Sequence, residues 1–159
     1  MLLSSIKRSL WPSDVALVKM REGLRLHWYP DSLGKKTGGY GHLWRKGDPL
    51  MITQEVADTW LDKDITSARN AAMKLFLQLP YQTQSLLDAL VSVCFQLGNA
   101  WNLEHKKTWK WMLSGDYMKA VKEAENSDWF RQTPVRVRDF QKALSEAFLL
   151  GRQYDSLGL

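Results

Sequence analysis

Along most of the chain apolar residues recur three and four positions apart, and the breaks between these runs fall at proline, glycine and hydroxylated residues. Trp11-Pro12-Ser13-Asp14 reads as a helix start. Val15, Leu17 and Val18 continue it, and Gly23 offers a left-handed stop that leaves Glu22 at the helix C-terminus. From Arg25 to His42 the pattern changes to Leu26-His27-Trp28-Tyr29, turn residues Pro30 to Gly34, then Thr37-Gly38-Gly39-Tyr40-Gly41-His42, which predicts a short β-hairpin region. Thr53 is placed to cap a long helix carrying Trp60, Leu61, Ile65, Ala68, Ala72 and Leu75, ending before Pro80. From Ser85 to Leu97 only Ser85, Asp88, Ser92 and Gln96 interrupt an apolar run, so this helix belongs inside a core and Gly98 closes it. His105 to Leu113 and Asp116 to Glu125 predict two helices parted by Ser114-Gly115. Thr133 is expected to cap a last helix, with Pro134 at its first position, that reaches about Leu150 and stops at Gly151. The sum is an α+β chain. It has a small N-terminal lobe with an antiparallel β-hairpin sheet (about 25–53), a long linking helix (about 54–78), and a larger helical lobe (about 80–151) that takes in the first helix.

With 159 residues, the chain is expected to form a single domain, 12 to 159, preceded by an N-terminal segment, 1–11. Lys7 and Arg8 interrupt the apolar start of that extension, which reads neither as a signal peptide nor as a membrane span. It is expected to be a frayed or docked terminal helix, with a weak membrane contact as the other reading. A net charge of +5 favours anionic partners without choosing among them. One cysteine, Cys94, leaves no internal disulfide and reads as a small buried hydrophobe. Eight tryptophans are more than packing needs, so core filling and exposed ring-binding surfaces both stay open.

The three histidines show no metal-ligand spacing, and no nucleophile elbow or phosphate-binding glycine loop opens a helix, so no metal and no cofactor are expected. Gly38, Gly39 and Gly41 suit either a close backbone approach to a ligand or a tight strand. What remains is carboxylate chemistry. Glu22 at a helix end and Asp31 in the hairpin could face one another across a cleft, but among seventeen acids the spacing alone also fits two solvated surface groups.

The motif around them is more specific. Glu22-Gly23-Leu24-Arg25, Tyr29, Asp31, Gly34, Thr37 and Gly39-Tyr40-Gly41-His42 resemble the signature of the phage-type lysozymes, glycoside hydrolase family 24, and the endolysins within it. Cys94-Phe95-Gln96-Leu97-Gly98 is similar to the end of that family's central helix. Trp129-Phe130-Arg131-Gln132-Thr133-Pro134 is similar to the entry to its late helix, so the likeness spans roughly residues 12 to 150.

The resemblance implies a lysozyme-like fold and cleavage of peptidoglycan between N-acetylmuramic acid and N-acetylglucosamine. Glu22 is then the general acid, Asp31 the second carboxylate and Thr37 the hydroxyl that helps hold the attacking water. It also implies that Arg136 pairs with Glu22, that His42 pairs with a carboxylate on the linking helix, here Asp64, and that Gln96 and Trp129 form a buried hydrogen-bonded pair. Gly41 and Leu43 would line the cleft floor, with Phe95 facing a sugar; Tyr29 and Arg25 would brace the hairpin. Simpler readings stand beside these: Asp31 as a turn cap, Thr37 as a strand former, Phe95 as core and His42 as a solvated side chain. Carboxyls about 6.5–9.5 Å apart would give inversion, towards which the resemblance leans, and about 5–5.5 Å retention.

Two features depart from the family pattern, the N-terminal extension and the pair Lys35-Lys36 beside the hairpin, which would either act on Asp31 or point to solvent. Lys106, Lys107 and Lys110 among Trp109 and Trp111 read as a solvated face or as a contact for an anionic wall or lipopolysaccharide. The resemblance implies a monomer that stays in the host cytoplasm until a holin breaches the membrane. The competing expectations are an inactive wall-binding or membrane-disrupting module and a lytic transglycosylase; a nucleic-acid binder ranks last because no recognised motif accompanies the charge.

Overall fold

The computed structural model describes residues 12–158, so the expectation for Met1 to Trp11 lies outside the described residues. Its elements are α1 (Asp14–Glu22), β1 (Arg25–Pro30), β2 (Lys36–Gly39), β3 (His42–Leu43), α2 (Gln54–Phe76), α3 (Gln84–Leu97), α4 (Trp101–Glu104), α5 (Lys106–Leu113), α6 (Tyr117–Glu125), α7 (Asp128–Gln132) and α8 (Pro134–Ser156). The three strands form one antiparallel sheet in the order β1-β2-β3. The fold is α+β.

Local chemistry sets the element ends. Ser13 Oγ accepts from the Ala16 N–H at 3.3 Å, Thr53 Oγ1 from Val56 at 3.1 Å and Thr83 Oγ1 from Leu86 at 3.1 Å, each satisfying an orphan donor of a helix start. Gly23 ends α1 at φ +69°, a left-handed conformation that glycine adopts without Cβ strain.

α3 is the hub of the helical body and packs against α1, α2, α4 and α8. Its polar positions do not form a wet stripe: Asp88 and Ser92 are buried, and Asp88 accepts from Gln84 Nε2 at 3.0 Å. α2 reaches from sheet to body. Ala57 and Trp60 lie under Gly39 and Asp64 bonds His42, whereas Ile65, Ala68, Ala72 and Leu75 enter the main core.

Two expectations need correction, and two short helices went unforeseen. α8 does not stop at Gly151 but runs through it to Ser156. The glycine is there because the Tyr81 ring lies against its backbone, where a Cβ would collide with the ring, and Tyr81 is fixed by its hydroxyl on Asp155 Oδ2 at 3.0 Å. Thr133 precedes the helical Pro134 as expected but makes no side-chain cap, since its hydroxyl accepts from Gln96 and donates to the Trp129 carbonyl. The short α4 and α7 were not anticipated, because one or two turns leave too little periodicity to detect.

The tryptophans divide by position. Trp101, Trp109 and Trp129 are core, Trp28, Trp60 and Trp111 are half-buried, and Trp44 is the exposed one among the described residues. Cys94 is buried, and that burial pushes its thiol up to about 11, so it stays protonated and unreactive at neutral pH.

α1 is tied to α2 by a forked pair in which Arg69 donates to both oxygens of Asp14, at 2.6 and 2.8 Å. The guanidinium hydrogen bonds hold the Asp14 carboxyl below its ordinary value of 3.8. A carboxyl depressed on folding contributes stability that is present above its unfolded value and disappears as pH falls through its folded one. Asp14→Asn is therefore expected to cost about 1 kcal/mol near neutrality, Arg69 being half exposed, and progressively less below about pH 4. Urea unfolding of both proteins as a function of pH measures this; a deficit that stays constant into acid contradicts the assignment.

Candidate active site

The end of α1 is held by two side chains one turn apart on α8. Arg136 donates to Glu22 Oε1 at 2.6 Å and to the Arg21 carbonyl at 3.1 Å, and Asp139 accepts both forks of Arg21 at 2.7 and 2.8 Å. The second pair was not foreseen. Its only trace in the sequence is the matching order of Arg21-Glu22 and Arg136–Asp139, oppositely charged at each contact. Glu22 is left 18% exposed at its side chain, with its rotamer set by the arginine.

The other Glu22 oxygen faces the hairpin. Gly41, in the turn between β2 and β3, has φ +77°, and a Cβ built on it would lie 2.9 Å from Glu22 Oε2. This glycine is therefore needed twice, for the backbone conformation and for the space the carboxyl occupies. Gly41→Ala is expected to cost about 1 kcal/mol in stability and to displace the carboxyl. Urea unfolding of the variant beside wild type checks this, and an unaltered stability would show that neither the conformation nor the space demands glycine there.

Asp31 sits where β1 turns toward β2. Its Oδ1 accepts from the backbone N–H groups of Leu33 and Lys35 at 2.9 and 2.8 Å, and its own N–H donates to the Lys35 carbonyl at 2.8 Å. The turn-capping reading thus holds for one oxygen, while Oδ2 makes no hydrogen bond among the described residues. Thr37 is buried and donates to the same Lys35 carbonyl at 2.9 Å. Lys35 hence joins Asp31 and Thr37 through its peptide group, not its charge. Thr37 pairs across the sheet with Tyr29 on one side and Leu43 on the other, which puts these three on one sheet face. Glu22 and Asp31 make no hydrogen bond to each other; the structure groups Glu22 with Gly41 and Arg136, and Asp31 with Thr37.

Lys36 is exposed, and its ammonium sits over the rings of Trp28 and Trp44, 5.6 and 5.1 Å from their centroids, a cation–π arrangement. Arg25 lies over the Tyr29 ring at 5.6 Å.

His42 is buried, with Nδ1 3.2 Å from Asp64 Oδ2 and its ring stacked on Trp60 at 4.1 Å. A second carboxylate was missed: Nε2 is 3.0 Å from Asp48 Oδ2, which also accepts from the Arg45 N–H at 2.8 Å. Burial raises the Asp48 carboxyl, but the Arg45 N–H and the His42 ring outweigh it and hold it below its ordinary value. Asp48 lies in an irregular loop where no periodicity marks its direction, so no sequence signal could have found it.

On the helical side, Gln96 Oε1 accepts from Trp129 Nε1 at 3.0 Å and its Nε2 donates to Thr133 Oγ1 at 3.0 Å, a closed polar ring beside half-buried Phe95. Lys106 and Lys110 instead edge a separate concavity of about 570 Å³ with Leu103, Trp109 and Leu113, to which none of the residues around Glu22 contributes. Among the described residues no group of three or more His, Cys, Asp or Glu is arranged to hold a metal ion. No helix among them is long and apolar enough to cross a membrane.

The profile of the phage lysozyme family matches residues 19–140, from α1 to within α8 and through every group just described. The chain belongs to the phage lysozyme family. Its relatives include an endolysin of Acyrthosiphon pisum secondary endosymbiont phage 1, 37% identical over 84 residues, which are 53% of this chain and 56% of that protein. Another is the pre-baseplate central spike protein Gp5 of Enterobacteria phage T4, 28% identical over 149 residues, 78% of this chain and 26% of that protein. The chain thus spans about half the length of the first relative and about a quarter of the second.

Proposed function

We propose that this chain hydrolyses peptidoglycan as an endolysin, cutting the β-1,4 bond between N-acetylmuramic acid and N-acetylglucosamine. The observation that carries this reading is the disposition of Glu22. One carboxyl oxygen is fixed by Arg136, and the other is packed on Gly41, in the same hairpin that presents Asp31 Oδ2 and Thr37.

In this reading Glu22 gives its proton to the glycosidic oxygen as the bond from that oxygen to the anomeric carbon breaks, so the leaving sugar departs as a neutral alcohol. A water attacks the anomeric carbon from the opposite side. Asp31 Oδ2 accepts the proton the water loses, and its charge stabilises the oxocarbenium character of the transition state. Thr37 Oγ1, whose hydrogen is committed to Lys35, has lone pairs left to accept from the water. Proton exchange with solvent returns Glu22 and Asp31 to their starting forms. Arg136 positions the acid, and Gly41, Leu43 and Phe95 contact the glycan while Gln96 and Trp129 hold the far wall. The name of the endolysin relative supports host lysis as the setting, with a holin admitting the protein to the wall.

The test is the chemistry of the released muropeptides. Digestion of purified peptidoglycan is expected to yield reducing N-acetylmuramic acid ends, heavier by the elements of water than anhydro ends, in the mass spectrum. Anhydro ends would mean a transglycosylase, and reducing N-acetylglucosamine ends would mean that the other glycosidic bond is cut.

A further inference from the structure

Beyond that reading, the segment from Trp44 to Met51 has features that hydrolysis does not use. Leu50 is 86% exposed and Met51 82%, two adjacent large apolar side chains in solvent, and Trp44 is 44% exposed. Surface loops are ordinarily polar and mobile. This one is held from three sides: Trp28 Nε1 donates to the Pro49 carbonyl at 2.9 Å, Asp48 bonds the Arg45 N–H and the His42 ring, and Trp44 shares the Lys36 ammonium with Trp28. The apolar tip is therefore displayed on a braced support and is not the chance exposure of a loose loop.

Its position and charge complete the case. Alternate residues of a strand point to opposite faces. Thr37 pairs with Tyr29 and Leu43 on one face, so Lys36, Trp28 and Trp44 lie on the other, away from the face bearing Thr37. Residues 25–53 contain five lysines and arginines against two aspartates, three of the chain's five net positive charges. Both aspartates are engaged within the protein, Asp31 in its turn and Asp48 on His42. Arg45 and Lys46 flank the apolar tip; Lys46 makes no ion pair among the described residues, and the one acid that acts on Arg45, Asp48, is already shared with His42.

We propose that Trp44, Leu50 and Met51, with Arg45 and Lys46, form an interfacial docking surface for an anionic phospholipid bilayer. Leu50 and Met51 would enter the boundary between headgroups and acyl chains, Trp44 would lie at headgroup depth, and the cations would pair with lipid phosphates. Two bare aliphatic side chains gain nothing from a polysaccharide or a free polyanion, which favours lipid over glycan. Because the face bearing Thr37 is the other side of the sheet, docking leaves it open to the wall.

The experiment uses the full chain with vesicles of phosphatidylethanolamine and phosphatidylglycerol, vesicles of phosphatidylcholine, lipopolysaccharide, and purified sacculi. Wild type is expected to co-sediment with the anionic vesicles, less so at high salt, and not with phosphatidylcholine. Leu50→Ser/Met51→Ser, which changes no charge and no buried group, should weaken that binding by about tenfold or more and leave sacculus hydrolysis unchanged. Lys106→Ser/Lys110→Ser should bind as wild type. The proposal is overturned if wild type ignores anionic vesicles, if the double serine variant binds them equally, if only the α5 variant loses binding, or if the double serine variant loses binding to lipopolysaccharide or sacculi and not to vesicles. Hydrolysis is read separately, so failure of docking and failure of the peptidoglycan reading are distinguishable.

Discussion

Glu22→Gln is expected to abolish clearing of outer-membrane-stripped cells, with kcat on purified sacculi lower by about 10²–10⁴-fold, the range a positioned general acid contributes. Glutamine has the same shape, and its amide oxygen can still accept from Arg136 as Glu22 Oε1 does at 2.6 Å. What it lacks is a transferable proton. The change also removes a charge beside a half-buried guanidinium, so a stability loss of about 1 kcal/mol is expected, too small to unfold the protein. Thermal unfolding measured beside turbidity separates the two effects. Undiminished clearing by the folded variant would transfer the activity to charge-driven membrane disruption, and the catalytic assignment would be lost.

Asp31→Asn should lower kcat by about 10²-fold or more while the turn persists. The asparagine Oδ1 can accept from Leu33 and Lys35 just as the aspartate does, so the hairpin and the Lys35 carbonyl that receives Thr37 stay in place. The substitution removes only the negative charge and the basicity of Oδ2. That makes it a sharper test than alanine, which would release the turn as well. A stable variant with full activity would reduce Asp31 to a turn residue and leave Glu22 acting without a second carboxylate.

Much of this architecture was legible because it is decided between near neighbours in the chain. Ser13 and Thr53 bond an N–H three residues on, Gly23 adopts a φ that other residues resist, and the change after Arg25 from helical spacing to aromatic and turn residues marks the sheet. The motif from Glu22 to His42 is local in the same sense: all its residues lie in one helix end and one hairpin, whose shape their own backbone preferences impose. The Gln96 and Trp129 contact was reachable only through family resemblance, since 33 positions separate the partners.

Other features have no local signature because their cause lies across the fold. Gly151 carries a helix-stop residue type yet sits inside α8, and the reason is the Tyr81 ring, 70 positions away in sequence. Asp48 joins His42, and Arg21 joins Asp139, because packing brings them within reach; with 22 cationic and 17 acidic residues, composition offers far more opposite-charge pairs than one structure can form. Gly41 suited a ligand approach or a tight strand, and only the fold sets the Glu22 carboxyl against it; Lys36 was open to Asp31 or solvent, and only the fold lays it over two indoles. Backbone conformation follows from short-range sterics and hydrogen bonds, which adjacent residues carry with them, whereas the choice of partner for a charge, and the space left for a side chain, depend on which surfaces the whole chain brings face to face.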